Sequence, residues 1–392
     1  MATKLEALFV TLCVLLLTSC SAPWASRQRL ATVRSTSLPS ASIVTRTVEP
    51  TSTLSTSERA IAPTTTPFST QPAATPAITT AVPTPTQSLA VGRVSGCCGT
   101  FSWIDSDHVL VFDNPAQGQS GAWAVDVKTG TRQFVSAGFG LPSSSGLVAV
   151  PNKTSGKTAI RRLDGSLVAT INNGGVLTWI SPNGLRVAWL EDLGATSISS
   201  LVPRTVKLWS ANIDGTNTKS LLEFDAAAIV WLPDNRHVVA LARAPGGGAA
   251  GIWSVDTTDG TNAVVVRGTF LQSLRLSPDG TRMAYLETFS GTAADDGVWV
   301  SNVDGSNRIH LQETGAFRWA SRSTALWFLN LAPLNGGDDE LIEVDIATAK
   351  KVSQINLGGR VLNDEWEVNP DGDVVAYWSE KDQSVMVKSL KP

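Results

Sequence analysis

Histidine and cysteine, the side chains that most often carry catalysis and metal binding, are scarce here: three and four respectively among 392 residues. His108, His237 and His310 stand far apart, and no H-E-x-x-H pair is present. Gly118-Gln119-Ser120-Gly121 only partly resembles a nucleophile elbow, and no glycine-rich phosphate loop leads from a strand into a helix. Cys13 and Cys20 fall within and at the end of an N-terminal apolar segment, which leaves Cys97 and Cys98 for the rest of the chain. That excludes a disulfide scaffold and a cysteine-rich zinc site. Charge is sparse as well, at 17% of residues with a net charge of −3 and no basic cluster, which argues against nucleic acid as a partner. Tyrosine is nearly missing, with two residues against thirteen tryptophans.

The apolar run at 7–17 is too short to span a bilayer and reads as a signal peptide, although Glu6 offsets Lys4 in its basic end. Its close, Leu17-Thr18-Ser19-Cys20, resembles a bacterial lipobox. The resemblance implies cleavage after residue 19, lipidation of Cys20, and a bacterial envelope protein anchored to the outer leaflet of the membrane or to the outer membrane; an ordinary secretory leader is the alternative. Several acyl chains on one cysteine hold more firmly than one. Residues 20–87 are mostly Ser, Thr, Pro and Ala. So little apolar mass cannot offset chain entropy, and we expect a disordered stalk.

From residue 88 onward one pattern recurs. In LRLSPDGTRMAYL (274–286), two short apolar strands flank Ser277-Pro278-Asp279-Gly280. Proline presets φ, aspartate bonds its own backbone and glycine takes the left-handed position, so a tight hairpin results. WISPNGLRVAWL (179–190), VWLPDNRHVVAL (230–241) and EVNPDGDVVAYW (367–378) repeat it. FSWIDSDHVLVF (101–112), LPSSSGLVAV (141–150) and FRWASRSTALWFL (317–329) are weaker copies. A spacing of roughly 40 to 50 residues is that of a propeller blade. Each hairpin is followed by a second repeated half, such as IWSVDTTDGT (252–261) or VWVSNVDGSN (298–307), so each unit holds four strands. The strands are apolar on both faces, as in sheets covered on both sides. The recurring tryptophans are expected to pack one blade on the next.

The pairing of W-x-S-P-D-G-x-x-x-A-Y with a later apolar-Trp strand and Asp-Gly turn resembles the TolB-type β-propeller repeat, over residues 88–392. The resemblance implies an all-β fold: a seven-bladed propeller of four-stranded antiparallel blades. Six or eight blades stay open, because the second unit lacks Asp-Gly and the sixth has Ser321-Arg322-Ser323 in its turn. The last unit supplies three strands before the chain ends, so 89–94 is expected to pair with 385–390 and close the ring.

Tight repeated turns gather on one face, and long irregular loops on the other: 113–121, 191–204, 243–251, 287–297 and 330–340. Binding residues are expected on the loop-rich face. Glu191-Asp192, Asp295-Asp296 and Asp338-Asp339 are candidates to hold calcium or a basic ligand there, though without the spacing of a known calcium loop; no cofactor is required, and the metal is unknown. Cys97 and Cys98 form either a strained vicinal disulfide or two packed thiols. The expected work is non-catalytic binding of an envelope or extracellular protein, peptide or glycan by a monomer. The alternative is a propeller hydrolase or lyase acting on sugar or peptide.

Overall fold

The repeated hairpin folds by local hydrogen bonds. The Ser277 hydroxyl donates to Asp279 Oδ1 at 2.6 Å, and the same carboxylate oxygen accepts the Thr281 N–H at 3.0 Å. Gly280 N–H closes the turn on the Ser277 carbonyl at 2.8 Å. Gly184 on Ser181 and Gly372 on Asn369 repeat this closure, each also at 2.8 Å. The turn of the sixth unit forms without Pro-Asp-Gly, as a short 3-10 turn, Ser321–Ser323, that holds Arg322 at φ 68° and Ser323 at φ 55°.

This computed structural model describes residues 89–92, 101–113, 119–194, 205–246, 248–311, 313, 315–332 and 336–391. They belong to one compact unit, whereas a second, Pro23–Pro85, lies wholly outside them. The leader, Cys20, the stalk and the pair Cys97–Cys98 are likewise outside the described residues. Among those residues no helix is long and apolar enough to cross a membrane.

The described chain is all-β and has a propeller arrangement. Four-stranded antiparallel sheets occupy 101–136, 141–172, 270–310 and 317–356, and a fifth joins 361–389 to Leu89–Gly92. The departing second unit is therefore present, with a first strand of only two residues, Leu141–Pro142. The expectation of seven separate four-stranded blades needs correction: five are four-stranded, and 178–268 makes a single seven-stranded sheet. The cause is Lys219–Trp231, a 13-residue strand. Its first half pairs with Thr205–Asn212, and from Asp225 onward it pairs with His237–Arg243. Ala226, at φ 58°, lies where the register shifts and redirects the strand without ending it. No loop separates the third and fourth repeats, so their sheets fuse.

First strands touch from sheet to sheet, except that Phe270–Leu276 meets the seven-stranded sheet through His237–Arg243 and Ala250–Asp256, and Val361–Val368 meets Phe101–Trp103 to complete the circuit. Leu89 pairs with Val387, Ala90 with Met386 and Gly92 with Val385, as closure of the ring requires. Consecutive residues of the second strands are buried together, as in Val238, Val239 and Ala240 or Met283, Ala284 and Tyr285, each 0% exposed. Both faces of each sheet are thus covered by neighbours. Full burial of a large apolar side chain contributes roughly 1.5–3 kcal/mol, so these seams hold most of the stability.

Tryptophan stitches the seams by hydrogen bonding as well as by area. Trp103 Nε1 donates to the Glu367 carbonyl at 3.0 Å, Trp231 Nε1 to the Trp179 carbonyl at 3.0 Å and Trp319 Nε1 to the Arg275 carbonyl at 3.1 Å. Each bond runs from one first strand to that of the preceding repeat. The turns touch as well: a Cβ on Gly372 would lie 2.0 Å from the Ser321 nitrogen, and φ there is +71°. Gly130 has a similar φ, +73°, with nothing near its Cβ position. Gly130→Ala is therefore expected to cost about 1 kcal/mol from backbone strain alone, and Gly372→Ala a further ~1–3 kcal/mol from overpacking. Urea midpoints check this; equal losses would refute the close approach of the turns.

Candidate functional site

Strand direction sorts the ends of the sheets. First strands run toward the tight turns, and second strands run back from them. The second-to-third loops and the links between repeats therefore share the opposite, loop-rich face.

The candidate acids lie on that face, and the side chains of Glu191, Asp192, Asp296 and Asp339 accept hydrogen bonds close by. Glu191 Oε2 accepts the Trp209 indole N–H at 2.7 Å, and Asp192 Oδ1 accepts the Gly194 N–H at 3.1 Å. Asp295 is exposed, and its carbonyl accepts the Trp299 indole at 3.0 Å. Asp296 Oδ1 accepts both the N–H and the hydroxyl of Ser290, at 2.9 and 2.8 Å, and the Ser290 backbone bond chiefly holds its carboxyl below the ordinary range. Asp338 is exposed. Asp339 is 1% exposed and joins two segments, accepting the Ala332 N–H on Oδ1 and the Val361 N–H on Oδ2, both at 2.7 Å. Among the described residues, no three His, Cys, Asp or Glu side chains come together as a metal site. Cys20, Cys97 and Cys98 fall outside the described residues.

The histidines serve local structure. His108 Nδ1 bonds Asp105 at 2.9 Å and His237 Nδ1 bonds Asp234 at 2.6 Å, both beside tight turns. The His310 ring stacks on Trp299, with centroids 4.4 Å apart.

A polar convergence that sequence reasoning missed lies between three first strands. Arg275 Nη2 reaches Glu367 Oε1 at 3.0 Å, and Arg318 Nε reaches Glu367 Oε2 at 2.9 Å. Arg275 and Glu367 belong to sheets separated by the one that carries Arg318, so their meeting places the trio at the centre of the ring. Arg318 is held in place, donating Nη1 to its neighbour Phe317's carbonyl at 2.9 Å, with its guanidinium 4.8 Å from the Trp366 ring centroid. Burial pushes the Glu367 carboxyl up, but the two guanidiniums outweigh it and hold the group below the usual glutamate range. The available signal was positional. The three residues occupy the same place in consecutive repeats, two before the start of the turn, where the other repeats carry Ser102, Leu141, Trp179 and Val230.

The loop-rich ends also display large apolar side chains: Leu193 at 45% exposure, Phe270 at 39%, Phe289 at 74% and Leu331 at 62%. Phe270 and Phe289 meet edge to face, with centroids 6.0 Å apart and planes at 74°. The Arg243 guanidinium lies 5.8 Å from the Phe270 centroid.

No family model matches the chain, and no curated protein matches it. Solved structures do. An oligogalacturonate lyase from Vibrio parahaemolyticus aligns with a TM-score of 0.56 at 12% identity, over 78% of this chain and 97% of that one. Hydrazine synthase from Kuenenia stuttgartiensis aligns at 0.46 and 13%, over 74% and 94%. TolB from Acinetobacter baumannii aligns at 0.39 and 13%, over 75% and 79%. At 12% identity the likeness to the lyase shows the β-propeller fold and carries no activity with it.

Glu367→Gln leaves two guanidiniums facing an amide at the centre of the ring, so a loss of about 1–3 kcal/mol at neutral pH is expected. A lowered carboxyl contributes stability that is present above its ordinary value of 4.5 and disappears as pH falls through its folded value. Urea midpoints of wild type and variant should therefore differ at pH 7 and converge toward pH 3. A gap that persists at pH 3 would show that the carboxylate's charge is not the cause.

Proposed function

We propose that this chain is a non-catalytic binding module: a β-propeller held outside the cytoplasm by lipid on Cys20 and the 20–87 stalk, which takes a protein, peptide or glycan on its loop-rich face. The supporting observation is that four large apolar side chains, Leu193, Phe270, Phe289 and Leu331, stand exposed at that face. Single exposed apolar residues are ordinary. Here four of them sit on loop ends that a rigid ring positions, where binding residues are usually placed. The competing reading, a lyase or hydrolase, draws on the fold likeness to oligogalacturonate lyase.

Thermal melts of the full chain with calcium, oligogalacturonate, neutral oligosaccharides and peptides test the reading. A ligand at a hundred times its dissociation constant adds about 2.7 kcal/mol of stability. The expected shift is abolished by Phe289→Ser with Leu331→Ser and kept by Val352→Ser, a control at an exposed apolar residue in an outer strand, Lys350–Asn356. A shift that survives the double change would remove the loop-rich face as the site, and turnover of any ligand would favour the enzyme.

The address has its own test. Cys20→Ser is expected to move the protein from the membrane pellet to the soluble fraction and to abolish incorporation of labelled fatty acid. Unchanged membrane association with no label in the wild type would defeat lipid anchoring.

A further inference from the structure

The second sheet differs from the rest in charge. Residues 141–172 carry four cations, Lys153, Lys157, Arg161 and Arg162, against one acid, Asp164, whereas every other sheet spans more acids than bases. Lys153, Lys157 and Arg162 are exposed, and among the described residues neither Lys157 nor Arg162 forms an ion pair. In a chain of net charge −3 this sheet is a local positive field.

Its outer strand, Leu167–Asn172, differs as well. It ends the sheet, and its six residues, LVATIN, include no charge and no proline. Outer edges are ordinarily guarded by charge, brevity or irregular register. Arg132–Ser136 opens on arginine, Asn262–Gly268 holds Arg267, and Lys350–Asn356 opens on two lysines. Ile309–His310 has two residues, and Leu89–Gly92 has four with a register shift. Cover of Leu167–Asn172 by the next repeat is slight. A Cβ on Gly305 would lie 1.9 Å from the Val265 carbonyl oxygen, but one on Gly215 would lie 3.8 Å from that of Thr170. Leu167 and Val168 stand 55% and 37% exposed. The register sets Lys157 beside Asn172 and Arg161 beside Leu167, one strand in from the edge. Arg161 is fixed there by the Gly165 carbonyl at 2.6 Å, and alternation turns Arg162 to the other face. Cations thus stand near both ends of an uncharged edge.

We propose that the Leu167–Asn172 edge receives a strand from an acidic partner. The partner is an extended peptide segment that adds to the second sheet, with β-branched residues at its centre and aspartate or glutamate toward its ends. In such an addition the backbone ladder supplies affinity and side chains supply choice. Strands in a sheet lie about 4.8 Å apart, so an added strand runs about 10 Å from the one that carries Lys157 and Arg161. A long cationic side chain meeting a carboxylate spans that gap. A second copy of this chain fits less well, because edge-to-edge pairing sets two positive sheets side by side. The site is on the outer rim and does not depend on the loop-rich face.

Selection of a displayed library of short random peptides on the full chain in detergent micelles is the test. Enriched peptides are expected to hold Val, Ile or Thr in the middle and acids toward the ends, and to bind less tightly as salt rises. Amide hydrogen exchange along Leu167–Asn172 should slow on binding, and that along Lys350–Asn356 should not. N-methylation of alternate peptide amides removes ladder donors without changing charge. One of the two alternate sets should weaken binding about tenfold or more. Lys157→Glu with Arg162→Glu, both at exposed positions, should keep the melting temperature, weaken acidic peptides to a similar degree and accept the same peptides with lysine in place of the acids. Phe289→Ser with Leu331→Ser should leave the affinity unchanged; a loss there would move the site to the loop-rich face and overturn the edge alone. Enrichment of peptides without acids, no enrichment, or binding indifferent to both methylated sets would also overturn the proposal. So would sedimentation showing self-association through this edge, or binding of a single-stranded oligonucleotide where every peptide fails.

Discussion

A sheet of four short strands with apolar side chains on both faces has no stable existence alone. Water must be kept from both sides, and a helix layer is not available, since the one helical element described is the three-residue turn at Ser321–Ser323. Each sheet must therefore be covered by two others, and the arrangement that leaves none uncovered is a ring. Pairing of Leu89–Gly92 with Ser384–Ser389 matters for this reason. It supplies the fourth strand to the sheet that would otherwise have three, and it joins the two ends of the described chain.

Close covering limits what the tight-turn face can hold. Turns there approach so nearly that a methyl group on Gly280 would lie 2.0 Å from Pro233 Cγ and one on Gly372 2.0 Å from Ser321. Indole hydrogen bonds from Trp103, Trp231 and Trp319 tie the first strands of neighbouring repeats. Little sequence freedom remains on that side. At the other ends of the same strands the loops carry no such duty. Strain at Phe289 is tolerated there because the ring beneath is already stable.

Much of the fold was legible because its information is local. Ser-Pro-Asp-Gly between apolar runs makes a hairpin wherever it stands, and its recurrence reveals the repeat. Even Leu141–Pro142 and the Ser321–Ser323 turn, which lack the motif, are present, since neighbours on both sides impose the shape. The fusion of two repeats was not legible. It depends on one backbone reversal, at Ala226, that no residue type announces. How the acidic loops are hydrogen-bonded was not legible for a related reason. A carboxylate in a loop often satisfies itself with the nearest N–H or indole, as Asp296 and Glu191 do, and Asp339 reaches the next sheet. The central trio of Arg275, Arg318 and Glu367 could be seen only by aligning repeats position by position.

The sequence by itself determined the hairpins, their spacing, the two-faced apolar strands and the strand that completes the last sheet. Each of these follows from turn chemistry and hydrophobic period over a few neighbouring residues. The tertiary structure decided which charges meet, how many sheets stand apart, and which exposed rings meet. These are relations between residues tens of positions distant in the chain, and only the closed packing of one sheet on the next brings them within ångströms.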